Sequence, residues 1–157
     1  MPSISRYQKI LVPLDGSGWS QRAVPHAIDL ALSNQSEVIL LSVFSAPAQS
    51  YTSELALAGQ NSAVQELRES VLLYLNGLSS ELREQGITTH AHVIDGANPA
   101  AAICNYVRTS DVDLVVMSTH GRTGLARIIF GSVARAVMEG VHVPTLLVHP
   151  DEEITTP

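Results

Sequence analysis

Apolar and polar positions divide the chain into two kinds of segment. Four short runs are almost wholly apolar and rich in β-branched side chains, which is typical of strands covered on both faces. A fifth segment, TTHAHVI at 88–94, alternates polar with apolar residues and predicts a further, more polar strand. The four apolar runs are KILVPL (9–14), EVILLSV (37–43), VDLVVM (112–117) and PTLLVHP (144–150).

The segments between these runs have helical periodicity. The clearest predicted helix covers 62–86, where apolar residues form one stripe and Gly86 ends the helix as a C-cap. Asn98 followed by Pro99 predicts the start of a later helix, because the amide that proline lacks would be unpaired at that position anyway. The apolar stripe consists of Val64, Leu67, Val71, Leu75, Leu78 and Leu82.

Three further segments bear on the helices. The last predicted helix runs from Ser132 to Glu139 and stops at Gly140. Pro25 lies early in the first helix, so that helix either starts near Ser20 or kinks at the proline. The connection 44–61 is long for a compact domain, and it is a lid, a partner surface or a mobile excursion that holds a short helix.

Strands and helices alternate along the whole chain. This order predicts an α/β fold, a Rossmann-like five-stranded parallel sheet with helices on both faces. Ligands of such sheets bind beyond the carboxyl ends of the strands, near the point where the strand order reverses. Two chemically unusual loops are expected at that edge, DGSGWS (15–20) and STHGRTGLARIIFGS (118–132).

Length and charge narrow the classes of function. The 157 residues, 45% of them apolar, fit one domain over 1–157. A net charge of −6 with only nine basic residues argues against a nucleic-acid partner, which needs a broad cationic surface. No apolar run approaches the roughly 18 residues of a membrane span, and no signal peptide is recognised, so we expect a cytoplasmic chain without a membrane partner. The single Cys104 is expected to be a small buried helix residue.

The glycine-rich loop is the strongest candidate for a binding site. Amides at a helix N-terminus favour an anion without help from lysine, and Lys9 is the only lysine of the chain. Gly121 and Gly131 let the backbone approach phosphates closely, with Ser132 next at the start of a helix. The alternative is a plain glycine turn in which Ser132 is the N-cap. Further donors nearby are the hydroxyls of Ser118, Thr119, Thr123 and Ser132 and the guanidinium groups of Arg122, Arg127 and Arg135.

Several other side chains have two interpretations each. Asp15, at the end of the first strand, binds an adenine amine or ribose hydroxyls, or else caps the next helix, a role that neighbouring serines would share. His120 contacts a phosphate or only fills space, and Trp19 covers a ligand or shields the first helix. His90 and His92 share one face of a strand, where a solvated surface is favoured over a zinc site because no third ligand is evident.

Motifs of several enzyme classes are missing from the chain. There is no Gly-x-Ser-x-Gly elbow for acyl transfer, no Walker lysine and no Gly-x-Gly-x-x-Gly dinucleotide turn. Ser17 stands where a phosphatase with an aspartate nucleophile would have its second acid. The common hydrolase and dehydrogenase classes are therefore disfavoured.

The segments ILVPLDGS (10–17), VDLVVMSTHGRTGLARIIFGSVA (112–134) and VPTLLVHP (143–150) closely resemble the universal stress protein family over nearly the whole chain. Its nucleotide-binding branch has Gly-x-x-Gly, nine residues, then Gly-Ser or Gly-Thr. Gly121, residues 122–130 and Gly131-Ser132 match this pattern, whereas Ser118 replaces the first glycine. If position 118 requires a positive φ, serine costs on the order of 1 kcal/mol. If it does not, the hydroxyl can donate to ribose or phosphate.

The resemblance implies an adenine nucleotide alpha hydrolase-like fold that binds ATP, or ADP or AMP, with Mg²⁺ or Mn²⁺. The expected binding residues combine those that the resemblance implies with the candidates argued above from the chain itself. They are Pro13, Asp15, Val43, Ser118, His120, Gly121, Arg122, Gly131, Ser132 and Val133. By the resemblance the first three line the adenine, while Gly121 and residues 131–133 hold ribose and phosphates.

The same resemblance implies a stress-response regulatory module rather than an enzyme. None of the implied residues is an evident general base, so any ATP hydrolysis should be slow. The alternatives are a nucleotide-independent dimeric interaction protein of the same family and a slow ATPase. The apolar last strand, 144–149, predicts a homodimer because it is expected at a sheet edge that can pair with its twin.

Overall fold

A computed structural model describes residues 6–45, 54–120 and 131–149. It contains a five-stranded parallel sheet with helices on both faces, which confirms the predicted fold class. The elements in chain order are β1 Lys9–Pro13, α1 Gly18–Gln21, α2 Ala23–Asn34, β2 Glu37–Phe44, α3 Glu54–Glu84, β3 Thr89–Asp95, α4 Pro99–Thr109, β4 Leu114–Ser118, α5 Ser132–Gly140 and β5 Thr145–Val148.

The strand order is β3-β2-β1-β4-β5, so the direction of winding reverses between β1 and β4. Ile10 of the central strand β1 lies opposite Val38 on one side and Leu114 on the other. Because all pairs are parallel, the carboxyl ends of β1 and β4 open at the same edge of the sheet. This is the position at which ligands bind in open α/β sheets.

The sheet separates two apolar layers. Successive β1 residues alternate between them: Ile10 and Val12 face α2 and α3, whereas Leu11 faces α4 and α5. All three side chains are fully buried. Burial on both faces explains why the central strands are continuous apolar runs in the sequence rather than alternating patterns.

Pro25 lies just after the junction of the first two helices. It lies in the first turn of α2, where the missing amide hydrogen costs little. The short helix α1 precedes it, and Arg22 joins the two helices with helical backbone angles. The predicted start near Ser20 is therefore close, but the structure divides that region into a short helix and a main helix.

Helix α3 is longer than predicted. It starts at Glu54, so the second half of the long connection 44–61 is the beginning of α3. Residues 46–53 of that connection lie outside the described residues. The segment from Glu54 to Ser62 is rich in Glu, Leu, Ala and Gln, which favour helix, and it contains no proline.

Only the C-terminal part of the predicted α3 stripe belongs to the core. Leu75, Leu78 and Leu82 are buried, but Leu67 is 48% exposed, which corrects its expected place in the core. The guanidinium of Arg68 donates to the carbonyl of Val93 at 3.1 Å, near the carboxyl end of β3. This part of α3 therefore lies near the carboxyl end of the neighbouring strand, where Leu67 is left largely exposed.

The predicted helix ends are confirmed. Gly86 follows α3 with a φ of +85°, a value that favours glycine. The Asn98 side chain accepts from the amide of Ala101 at 3.1 Å and caps α4. Gly140 is the last residue of α5, with Val141 as the C-cap, and glycine is required there by close packing, since a Cβ would lie 2.8 Å from Sγ of the half-buried Cys104. Among the described residues, no helix has the length and hydrophobicity of a membrane span.

Candidate nucleotide-binding site

The loop after β1 is organised by the carboxylate of Asp15. Its Oδ1 accepts from the amide of Ser17 at 2.9 Å and from the Ser17 hydroxyl. The Ser17 hydroxyl in turn accepts from the amide of Ser20 at 3.1 Å and so caps α1. Gly16 between them has a φ of +84°. The capping role that the sequence left open thus belongs to Ser17, and Asp15 fixes the turn that places the cap.

Helix α3 brings Tyr74 to this loop. Burial and the negative charge of Asp15 raise the pKa of Tyr74 above 10.0. The Tyr74 hydroxyl donates to Oε1 of Gln21 at 3.3 Å. Sequence reasoning did not identify Tyr74, because nothing in the stretch around it distinguishes it from the neighbouring core positions of the helix.

Ser118 is the last residue of β4 and is buried. Its hydroxyl oxygen accepts from the amide of His120 at 3.3 Å. Outside glycine, the described residues with a positive φ are Gln35 and Asp111, so Ser118 does not adopt that conformation. Serine in place of the family glycine therefore causes no left-handed backbone strain, and the side chain holds the turn that follows the strand.

Thr119 connects three elements. Its amide donates to the carbonyl of Val148 in β5 at 3.0 Å, and its own carbonyl accepts from the amide of Gly131 at 2.6 Å. Its hydroxyl lies 2.9 Å from Nδ1 of His120. Thr119 is fully buried, so these contacts are shielded from water. From the sequence, Thr119 was only a possible hydroxyl donor. Its bonds to Val148 and Gly131 were not predictable, because they join residues far apart in the chain.

Gly131 is the N-cap of α5 and has an extended backbone, with φ −67° and ψ 153°. A Cβ at this position would lie 2.8 Å from the carbonyl oxygen of Thr119. Glycine is therefore required by close approach of two backbone segments and not by its φ. Ser132 is the first helical residue, and α5 has no side-chain cap bond, so the alternative of Ser132 as N-cap is wrong.

The start of α5 presents donors to the same edge of the sheet. The amides of the first helical turn have no acceptor within the helix, and they carry the positive end of its dipole. Ser132 is exposed, whereas Val133 is partly buried against the α4 and α5 side of the sheet. The backbone amides of Ser132 and Val133 are therefore donors at an exposed helix start, and the packing of Val133 fixes their position.

Trp19 links the loops after β1 and β4. Its ring centroid lies 6.3 Å from that of His120, with the ring planes tilted by 45°. The guanidinium carbon of Arg22 lies 4.8 Å from the Trp19 ring centroid. The three side chains form a column, which we call the Arg22–Trp19–His120 stack. Trp19 thus contacts a residue of the candidate site as well as its own helix.

The structure brings most of the predicted residues to one edge of the sheet. Pro13 ends β1 and Asp15 follows it, while Ser118 ends the adjacent β4 and His120 follows it. The Gly131 contact holds residues 131–133 beside them. Val43 lies near the carboxyl end of β2, one strand further along. Gly121 and Arg122 lie outside the described residues.

The two strand histidines are not part of this edge cluster. His90 and His92 are both exposed, and their ring centroids are 6.4 Å apart. Nε2 of His90 lies 3.7 Å from a carboxylate oxygen of Glu37. No group of three or more potential metal ligands occurs within the described ranges.

Comparison with known proteins identifies the family. The model of the universal stress protein family matches residues 6–149. The chain belongs to this family. The universal stress protein MJ0531 of Methanocaldococcus jannaschii is 35% identical to it over 143 residues, which cover 90% of this chain and 82% of the relative.

Solved structures of universal stress proteins have the same architecture. The structure of MJ0577 is 26% identical, has a TM-score of 0.79 and is matched over 94% of this chain and 99% of its own. A universal stress protein from Archaeoglobus fulgidus in complex with dAMP has a TM-score of 0.58 at 22% identity, over 90% of this chain and 98% of that one. Other neighbours of the same fold hold cAMP or AMP.

Proposed function

We propose that this universal stress protein binds an adenine nucleotide, ATP foremost, beyond the carboxyl ends of β1 and β4, and works as a nucleotide-responsive regulatory module. The observation that carries the proposal is the contact between Gly131 and Thr119. It fixes the N-terminus of α5 against the end of β4, at the point where the strand order reverses. A helix N-terminus at that point suits a phosphate chain.

The nucleoside end of the ligand would lie over the β1 and β2 side of the edge. Pro13 and Val43 offer apolar surface for a base, since Pro13 is buried and Val43 partly buried. Asp15 would accept from an exocyclic amine or from ribose hydroxyls, because a carboxylate accepts hydrogen bonds and its position is fixed by the Ser17 turn. These three residues fit a nucleoside of modest size.

The phosphate end would lie over the β4 and α5 side. The amides of Ser132 and Val133 would bind phosphate oxygens, with Gly121 and Arg122 contributing from the loop that precedes them. Because Gly131 has no Cβ, the backbone at the start of α5 can lie against the backbone of Thr119. Ser118 would lie beside the phosphates, and its hydroxyl accepts from the His120 amide.

A divalent cation, Mg²⁺ or Mn²⁺, would be held mainly by the phosphates. No cluster of three acidic, histidine or cysteine ligands occurs in the part of the chain that the structure describes. The cation would neutralise phosphate charge, which suits a chain with only nine basic residues. Because none of the proposed contacts supplies an evident general base, hydrolysis should be slow and binding should be the main activity.

The comparisons support an adenine nucleotide as the ligand class. Family members of the same fold hold dAMP, AMP or cAMP. The glycine pattern of the loop matches that of the family's nucleotide binders except at Ser118, where no positive φ is needed. Both arguments favour retention of the site in this chain.

We further propose a homodimer through 144–149. Strand β5 is at the edge of the sheet and pairs with β4 alone. Leu146 on this strand is 39% exposed. An unpaired apolar edge invites pairing with a second copy. This feature also supports the second candidate function, a dimeric interaction protein that acts without nucleotide.

Thermal unfolding with and without ATP and Mg²⁺ separates the two functions. At 100 times Kd, a ligand that binds only the folded state adds about 2.7 kcal/mol to the free energy of unfolding. For a chain of this size that corresponds to a rise in Tm of about 5 to 10 °C. Gly131→Val should abolish the rise. An unchanged Tm in wild-type protein saturated with ATP would favour the nucleotide-independent function.

A further inference from the structure

The imidazole of His120 has one partnered and one unpartnered nitrogen. Nδ1 lies 2.9 Å from the hydroxyl oxygen of Thr119. Nε2 is buried, and among the described residues it has no hydrogen-bond partner. A buried polar atom without a partner destabilises the folded state, so such an atom at a candidate site calls for an explanation.

The contacts of Thr119 indicate which nitrogen carries the hydrogen. The Thr119 hydroxyl has one proton, and its two neighbours are Nδ1 of His120 at 2.9 Å and the carbonyl of Val148 at 3.5 Å. That carbonyl already accepts from the Thr119 amide at 3.0 Å. Of the two contacts the one at 2.9 Å has the better hydrogen-bond length, so we assign the hydroxyl proton to it, with Nδ1 as acceptor and the ring hydrogen on Nε2. With this assignment, Nε2 of His120 is a donor without an acceptor among the described residues.

The Arg22–Trp19–His120 stack fixes the plane of this donor. The Trp19 ring lies beside the imidazole at 6.3 Å, and Arg22 lies over the Trp19 ring at 4.8 Å, within the range of cation–π attraction. Trp19 belongs to the loop and helix after β1, whereas His120 follows β4. The stack thus joins the two sides of the strand reversal.

We propose that Trp19 is a positioning residue, which together with Thr119 holds Nε2 of His120 to donate to a phosphate oxygen of the bound nucleotide. This inference rests on the proposed function. A phosphate oxygen suits the site because it accepts hydrogen bonds, and because His120 immediately precedes the glycine loop. Trp19 is the only tryptophan of the chain, so tryptophan emission reports on the surroundings of this ring.

Calorimetric titration with ATP, and competition by adenosine, tests the proposal on purified full-length chain with Mg²⁺. His120→Asn keeps an acceptor near Nδ1 and loses Nε2, whereas His120→Gln retains a donor near Nε2. His120→Asn and Trp19→Ala should weaken ATP binding by about 10-fold or more, as expected for loss of a hydrogen bond to a charged group. Adenosine affinity should change by less than about twofold, since it lacks phosphate.

Conservative and remote variants provide the controls. Trp19→Phe retains an aromatic ring and should keep ATP affinity within about threefold of wild type, and His120→Gln should recover part of the loss. Leu73→Ala removes a side chain that is 74% exposed and should leave both affinities unchanged. ATP should also change the Trp19 emission in wild-type protein but not in His120→Asn.

The outcomes distinguish this inference from the proposed function. If wild-type protein binds neither ATP nor adenosine, both the nucleotide site and the role of Trp19 are wrong. If wild-type protein binds ATP but Trp19→Ala weakens ATP and adenosine equally, or changes neither, the nucleotide site stands and the positioning role is wrong. Selective loss of ATP affinity with recovery in Trp19→Phe supports the positioning role.

Discussion

The amide of Gly131 donates to the carbonyl of Thr119 at 2.6 Å, and this contact joins the start of α5 to the end of β4. The amide of Thr119 also donates a hydrogen bond to the carbonyl of Val148 in the edge strand. One buried residue thus holds the sheet edge and the helix N-terminus together. This backbone contact positions the donors proposed for phosphate, and amides at a helix N-terminus favour an anion without a lysine side chain.

Substitution of Gly131 should weaken both ATP binding and folding. In Gly131→Ala the new Cβ would lie 2.8 Å from the Thr119 carbonyl, so α5 must move away from β4. We expect ATP affinity to fall at least about tenfold and the free energy of unfolding to fall by about 1–3 kcal/mol. Calorimetric titration and denaturant unfolding measure the two effects.

Gly77→Ala is the matched control. Gly77 lies inside α3, and a Cβ there meets nothing within 4 Å. The change should raise the free energy of unfolding by about 0.5–1 kcal/mol, because alanine favours helix over glycine. Its ATP affinity should equal that of the wild type. ATP binding that is unchanged in Gly131→Ala would contradict the proposed role of the Gly131 contact.

Restoring the family glycine at position 118 should change affinity little. Ser118 has no positive φ, so glycine relieves no strain there. Ser118→Gly removes the hydrogen bond to the His120 amide and should lower the free energy of unfolding by about 1 kcal/mol. ATP affinity measured by titration should stay within about threefold of wild type. If the wild type fails to bind and Ser118→Gly binds well, the serine side chain blocks the site.

The alkaline stability of the protein should depend on Tyr74 and Asp15. Burial and the Asp15 charge raise the pKa of Tyr74 above its unfolded value of 10.0. The folded state therefore retains the phenol proton at a pH where the unfolded chain loses it. The free energy of unfolding should fall as the pH rises above about 10, because the unfolded state then binds fewer protons.

Two variants test this dependence. Tyr74→Phe should reduce the loss of stability at alkaline pH, as measured by denaturant unfolding at several pH values. Asp15→Asn removes the neighbouring charge while keeping an acceptor for Ser17, and should lower the pKa of Tyr74 in an ultraviolet absorbance titration. An unchanged tyrosine titration in Asp15→Asn would show that the two groups do not interact.

The edge strand should determine the oligomeric state. Leu146 on β5 is 39% exposed, and a lysine there would place a charge on the edge proposed to pair with a second copy. We expect a dimer for wild-type protein and a monomer for Leu146→Lys in light scattering. Leu32→Lys, at a position 53% exposed on α2, should remain a dimer. A monomeric wild type would show that the edge does not pair.

The sequence predicted the fold well because strands buried on both faces leave an unmistakable apolar pattern. The runs around Ile10, Val38 and Val115 all became central strands. The start of α3 was missed even though Thr52 and Ser53, residue types that favour an N-cap, directly precede Glu54. The exposure of Leu67 was missed because helical periodicity does not reveal where the neighbouring strand ends.

The candidate site was predictable in position but only partly in detail. The order of elements alone places Asp15 and His120 at the same edge of the sheet. The capping role of Ser17 and the connections of Thr119 depend on loop geometry and on contacts between distant segments, which spacing does not reveal. The sequence pointed to Gly131 as a residue of the candidate site. It did not show that glycine is needed there because the backbone lies against Thr119.

Mass spectrometry of small molecules released from unheated, freshly purified protein tests the central claim most directly. The account predicts an adenine nucleotide in the wild-type protein, at a substantial fraction of the protein concentration, and its loss in Gly131→Val. Absence of any adenine nucleotide, together with failure of added ATP and Mg²⁺ to bind the same folded sample, would contradict the account.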